Sequence, residues 1–205
     1  MLDESARVHA FVARLQGIGM LVATRIAVVA GACWLSSAPA FAQAVAYTID
    51  PKKSEVVFSY STALSGGTGQ FTNISGTSNI NDADQTKTTV DALIDTRTLR
   101  SGNYQAQLRG SDFFDVGRYP QMRFKSRSVR PKSATTADIT GDITVKGVTR
   151  TIVLHSALTP PGLGGARQFR AKTRINRSDF NMTAYAFLVG EAVDIEIRAE
   201  LTPAR

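Results

Sequence analysis

The chain has 205 residues, 43% of them hydrophobic and 20% charged, with a formal net charge of +7. That length and mix describe one globular domain with its own core, and they exclude a disordered or low-complexity chain. One cysteine and two histidines exclude a disulfide framework and a Cys/His zinc centre. The basic residues are scattered and never form a nucleic-acid patch, so no nucleic-acid partner is expected.

The first element in chain order is a leader. Arg25 precedes the apolar run IAVVAGACWL and the small-residue stretch SSAPAFA, the layout of a secretory signal peptide. The run is shorter than the about 20 residues that span a bilayer. The reading is a signal peptide over residues 1–42, cleaved between Ala42 and Gln43, followed by a domain over 43–205. The residues before Met20 make an unusually long n-region, and a leader beginning at Met20 has the more ordinary form. Cys33, in AGAC, faintly resembles a lipoprotein processing site, but Ala30 stands where a larger aliphatic residue is usual. Cleavage after Ala42 removes Cys33 and His9. It also removes Arg7, Arg14 and Arg25 against Asp3 and Glu4, so +7 becomes +6.

Beyond the leader the dominant pattern has period two, which places successive side chains on opposite faces of a strand. It shows at Val56-Phe58-Tyr60, at Val90-Ala92-Ile94 and at Ile152-Leu154-Leu158. It is cleaner in TADITGDITV, where Ala137, Ile139, Gly141, Ile143 and Val145 share a face. It is cleanest at the end, where Val193, Ile195, Ile197, Ala199 and Leu201 oppose Asp194, Glu196, Arg198 and Glu200. Turn signals separate these runs at Asp50-Pro51, Ser65-Gly66-Gly67, Asn81-Asp82, Lys146-Gly147 and TPPGLGG. Lys146-Gly147 reads as a tight hairpin turn. The pattern predicts an all-β domain of about eight antiparallel strands. Such a sheet with one dry face packs on a second sheet or closes on itself. Short helices interrupt it: Asn103 is placed to cap one through YQAQLR, with Gly110 ending it, and Ser111 and Ser178 are placed to cap single turns at their Ser-Asp-Phe segments.

Catalytic patterns fail against this inventory. His155 falls on the outer face of its strand with no Gly-x-Ser-x-Gly elbow, and GLGGARQF lacks the Lys-Ser/Thr ending of a phosphate loop. Asp112 and Asp115 sit in a turn, where capping explains them as readily as acid-base work. The sequons at Asn73, Asn176 and Asn181 matter only in a glycosylating pathway. The chain is therefore read as a non-enzyme without a cofactor or metal.

What remains is a surplus of aromatics: Phe58, Phe71, Phe113, Phe114, Tyr119, Phe124, Phe169, Phe180 and Tyr185. They are densest in SDFFDVGRYPQMRF, among charges and a Gly-Arg-Tyr-Pro turn. An eight-stranded barrel is just wide enough to be filled by its own side chains or to hold one slender ligand. Composition leaves both open.

Several segments, in order, closely resemble the YceI-like family of bacterial secreted proteins: YTIDPKKSEVVFSY, GQFTNISGTSNI, SGNYQAQLRGSDFFDVGRYPQMRFKS, ITGDITVKGVTRTIVL and TRINRSDFNMT. The resemblance implies a lipocalin-like antiparallel barrel in the periplasm, holding a polyisoprenoid, an isoprenoid quinone or a similar amphiphile. It also implies an association with cytochrome b561 type membrane proteins. On this reading Phe58, Phe71, Phe113, Phe114, Tyr119, Phe124 and Phe180 line the cavity or its mouth. Arg118, Arg123 and Arg177 are the candidates for a polar or phosphate head. Two positions depart from the family pattern. Gln107 lies within the segment where many members carry Arg-Asp-x-His-Leu, and offers a neutral polar group, while Asn181 stands where Gly often follows Asn-Arg-Ser-Asp-Phe. The alternative reading is a well-packed barrel that docks on a membrane-protein partner. The oligomeric state, a homodimer included, stays open.

Overall fold

The structure, a computed structural model, describes residues 43–63 and 65–204. The predicted leader, its cleavage site, Cys33 and the start at Met20 lie outside the described residues. Among the described residues, ten strands occupy eight positions of a closed antiparallel barrel. They are β1 (Val45–Ile49), β2 (Glu55–Thr62), β3 (Gly66–Phe71), β4 (Ile74–Ile80), β5 (Thr89–Asp95), β6 (Gln121–Pro131), β7 (Thr136–Val145), β8 (Val148–Leu158), β9 (Arg167–Asn176) and β10 (Val189–Pro203).

The difference between ten strands and the expected eight has a local cause. β10 pairs on one edge with β9, and on the other first with β2, over Val189–Arg198, and then with β1, over Leu201–Pro203. β1 and β2 are thus one long strand broken at Asp50–Ser54, and β3 and β4 answer it with a break at Thr72–Asn73. The Asp50-Pro51 signal marks the first break. The Asp50 carboxylate accepts the Lys52 amide at 2.9 Å, and Glu200 stitches the kink to β10 through the Asp50 amide (2.9 Å) and the Ser54 hydroxyl (3.2 Å). The remaining edge of β3 is paired through Gln70 with Arg100, by two reciprocal bonds of 2.9 Å.

β7 and β8 meet through Lys146 and Gly147, both left-handed at φ of 49° and 76°, with Val145 opposite Val148. Two positive φ values make the turn whose twist matches that of paired strands. Gly147 is doubly required, since a Cβ there would lie 2.9 Å from the Tyr119 ring. This hairpin, the β2–β3 turn, the segment Gly102–Pro120 and the loop from Arg177 to Leu188 gather at one end of the barrel. The five-residue helix α1 (Gln105–Arg109) lies there, so this is called the α1 end. The loops Asn81–Thr88, Lys132–Thr135 and Thr159–Ala166 gather at the other, the Asp82 end.

The helical turns are present but capped differently from expectation. Asn103 lies inside a 3₁₀ turn, Gly102–Tyr104, and α1 begins after Tyr104 without a side-chain cap. Ser101, ahead of that turn, donates to the Thr68 carbonyl at 2.6 Å and so ties it to β3. Gly110 does follow α1, but with extended backbone. Beyond it, main-chain bonds do the work expected of Ser111: the amides of Phe113 and Asp115 both donate to the Gly110 carbonyl. At the second Ser-Asp-Phe segment the Ser178 amide donates to Glu191 Oε1 at 2.8 Å, so a carboxylate from β10 replaces the expected Ser178 cap. Asn181 closes this turn at φ 56°, the left-handed backbone its family counterpart glycine would take.

Candidate ligand-binding cavity

The inward residues of every position face a lumen of about 520 Å³ that runs from one end of the barrel to the other. Single-ligand sites fall in the range of about 300–1,000 Å³. The five alternating residues of β10 all line it, as do Val56, Phe58 and Tyr60, Val90, Ala92 and Ile94, and Ala137, Ile139, Ile143 and Val145. The wall is therefore the dry face read from the alternation. Its outer face is a lattice of ion pairs, among them Arg123 with Asp91, Arg127 with Asp142, and Arg174 with Asp194. Hydrogen bonding to Arg123 holds the Asp91 carboxyl below the usual range. Lys132, and then His155, whose Nδ1 lies 2.7 Å away, do the same for Asp138. His155 is thus an outer-face residue.

Aromatic rings that line the lumen pack against one another. Phe58 packs against Tyr60, Phe71 and Phe114 at centroid distances of 6.2, 5.6 and 5.5 Å, and Phe71 meets Phe114 edge-on at 5.2 Å. Such pairs contribute about 0.5–1.5 kcal/mol beyond area burial. Glycines make room for them: Gly69 faces Phe58 across the β2–β3 ladder, and a Cβ there would stand 2.2 Å from the ring. Gly141 serves Phe124 in the same way, at 2.5 Å. At the α1 end Phe113 and Tyr185 stack 6.1 Å apart, within 3° of parallel. Tyr104, Tyr185 and Leu188 both line the lumen and face solvent, so they form its rim, and the adjoining Phe187 is 85% exposed.

Of the residues singled out from sequence, Phe58, Phe71, Phe113, Phe114, Phe124 and Arg177 line the lumen. Tyr119, Phe180, Arg118 and Arg123 do not. Arg123 alternates with inward Met122 and Phe124, so it points outward, and both its Nε and Nη2 are engaged by Asp91 at 3.0 and 2.6 Å. Arg118 is exposed, with its guanidinium 5.3 Å over the Tyr119 ring, and Tyr119 is held against the β7–β8 turn. Phe180 is fully buried in the turn Arg177–Phe180, which packs against β8 where β8 has parted from β9; those strands pair only over His155–Leu158. Arg177 borders the lumen, but each of its three nitrogens is already engaged, by the carbonyls of Gly190, Met182, Ala184 and Val189. It fixes the loop instead of offering a free cation. The residue missed from sequence is Arg167, a buried cation in the wall at the Asp82 end. Its signal was available: extending the register of Phe169 and Ala171 back by two places Arg167 on the dry face.

The fold and this lumen define a class, a lipocalin-like antiparallel barrel built around an apolar cavity. A family model described as the YceI-like domain matches residues 47–201, and the chain belongs to that family. It is 30% identical to a UPF0312 protein of Vibrio parahaemolyticus, over 79% of this chain and 89% of that one. It is 32% identical to protein YceI of Escherichia coli O157:H7, over 64% and 72% of the two chains. Among solved structures it is similar to Burkholderia cenocepacia BcnA, with a TM-score of 0.69, 25% identity, and 74% and 98% of the chains covered. It also shares its fold with a protein of Saccharophagus degradans described as a polyisoprenoid binding domain. There the TM-score is 0.62 and the identity 15%, over 78% and 99% of the chains.

Proposed function

We propose that this protein is a periplasmic carrier that holds a polyisoprenoid, an isoprenoid quinone or a similar long-chain amphiphile in its lumen, without catalysing a reaction on it. The observation that carries the reading is the continuous apolar lumen with its open aromatic rim. Burying a methylene stabilises by about 0.8 kcal/mol, so each five-carbon unit contributes on the order of 4 kcal/mol of transfer free energy before ordering costs. A few units then exceed the about 4–15 kcal/mol cost of association. The Saccharophagus neighbour supports the same ligand class by its description, and the leader read from sequence supports the location. Exposed Phe187 and Leu188 beside the mouth favour contact between this end and whatever donates or receives the ligand, a membrane-protein partner included.

The test is native mass spectrometry of protein purified from its own host, followed by organic extraction and lipid analysis. A stoichiometric prenyl chain or quinone is expected. A clean apo mass that stays unchanged after incubation with octaprenyl phosphate and ubiquinone overturns the reading.

A further inference from the structure

Among the described residues two arginines border the lumen, one at each end, and they are not equivalent. Each of the three guanidinium nitrogens of Arg177 already donates to a main-chain carbonyl. Arg167 differs. It occupies an inward position of β9 opposite Leu201, and only 6% of its side chain is exposed. Its Nε donates to the Thr159 carbonyl at 2.8 Å, and its Nη1 donates to Asp82 at 2.9 and 3.0 Å. Nη2 has no hydrogen-bond partner among the described residues. No enclosed side-chain nitrogen lacks a partner there, so Nη2 fronts open space. Arg167 is also one of the residues that line the lumen.

A guanidinium placed in an apolar wall with donors to spare is costly to the fold, and its stem position would be filled more cheaply by an aliphatic side chain. The surroundings suit a polar guest. Asp82, Gln85, Thr88, Thr135 and Thr136 line the lumen at this same end. The Gln85 amide nitrogen is committed to the carbonyls of Ala134 and Ser133 at 3.1 and 3.4 Å, and its own oxygen has no partner among the described residues. At the α1 end, by contrast, stacked aromatics border the lumen beside the uncharged Thr62, Ser65 and Gln107, and the cation there, Arg177, is already engaged. The two ends are chemically unlike, as the two ends of an amphiphile are.

We propose that Arg167 and this polar end form the head-group subsite. The amphiphile lies with an oxygen-bearing head on Arg167 and its apolar chain running toward Phe58 and Phe113. This rests on the carrier reading above. The shared chemistry is a hydrogen-bond-accepting head, supplied by a phosphate or by a quinone carbonyl. Asp82 separates these sources, because its carboxylate opposes an anion and not a neutral carbonyl.

The test is calorimetric titration of protein purified from cells expressing the full chain. The probes are a C20 prenyl monophosphate, the prenol of the same chain and a prenylated benzoquinone. Arg167→Met, similar in length but unable to donate, is expected to lose about 10- to 100-fold in affinity for whichever of phosphate or quinone binds, with less than about threefold change for the prenol. Asp82→Asn, at a side chain 59% exposed, is expected to raise phosphate affinity severalfold while leaving the quinone unchanged. A photoreactive group at the chain terminus is expected to label the Phe113–Tyr185 end. Should Arg167→Met fail to fold, Asp82→Asn and the labelling pattern decide. Wild-type-like phosphate and quinone affinity in Arg167→Met, or chain-terminus labelling of the Asn81–Thr88 loop, overturns the subsite and leaves the carrier standing. Failure of wild-type protein to bind any of the three probes overturns both.

Discussion

Gly69→Ala puts the design of the lumen under direct test. The new methyl would stand 2.2 Å from Cζ and 2.6 Å from Cε1 of Phe58, where carbon atoms in contact sit about 3.5–4.0 Å apart. Gly69 and Phe58 are opposed in the β2–β3 ladder, so the backbone cannot yield without breaking register. The ring has to leave the wall, and the direction open to it is the lumen. Its contacts with Tyr60, Phe71 and Phe114 are then disturbed. Overpacking of this kind costs about 1–3 kcal/mol. In a domain of this size each kcal/mol lowers Tm by about 2–4 °C, so a fall of roughly 2–12 °C is expected. The displaced ring also narrows the cavity, and affinity for a lumen probe such as N-phenyl-1-naphthylamine falls with it. Adding Phe58→Leu removes the clash, so the double variant regains both Tm and probe affinity relative to Gly69→Ala. An unchanged Tm and probe affinity in Gly69→Ala, or a double variant no better than the sum of the singles, would refute the reasoning.

Three further outcomes are expected. Arg177→Met strips the charged donors from four carbonyls and costs about 3–5 kcal/mol, measured by urea unfolding, with the Met182–Val189 segment newly open to protease; a loss below about 1 kcal/mol contradicts this. Gly147→Ala, at φ 76° and facing Tyr119, destabilises by more than about 1 kcal/mol, whereas Lys146→Gly, at φ 49°, is neutral or stabilising in the same thermal melts. The carboxyls of Asp91, Asp138, Asp142, Asp194 and Glu196 are held below their usual range chiefly by hydrogen bonds from Arg123, Lys132, Thr151, Arg174 and Lys172 respectively. The unfolded chain therefore binds protons first. Their stabilisation is present at neutral pH and is lost as pH falls through the depressed values, so Tm should hold above about pH 5 and drop below about pH 4. A Tm that rises on acidification contradicts the sign.

The wall of the barrel was legible because alternation is a property of the strand itself: Ile195 and Ile197 cannot face inward without Glu196 facing out. Barrel closure was legible only as one of two outcomes, since no local feature of β10 announces that its second edge serves both β1 and β2. The site was harder to read than the wall. Phe113 and Phe114 follow from their density in SDFFD, but Phe180 and Tyr119, equally aromatic, pack outside the lumen, because loops carry no period that assigns a side chain to a face. Arg123 failed as a head-group candidate although the alternation of Met122 and Phe124 already turns it outward. Arg167 was overlooked because its strand, RQFRAKTRIN, reads as charged unless a register is chosen first.

The same last strand that joins both edges sets the order in which the molecule can be made. Thr48 meets Thr202 across 154 residues of chain, and β1 acquires its β10 neighbour only through Leu201–Pro203. Contacts so distant in sequence form slowly, since the whole intervening chain must be gathered first. A nascent chain emerging from the ribosome therefore holds two unmatched edges until Leu201–Pro203 have appeared. Until that clasp has formed, the barrel stays an open, threadable polymer.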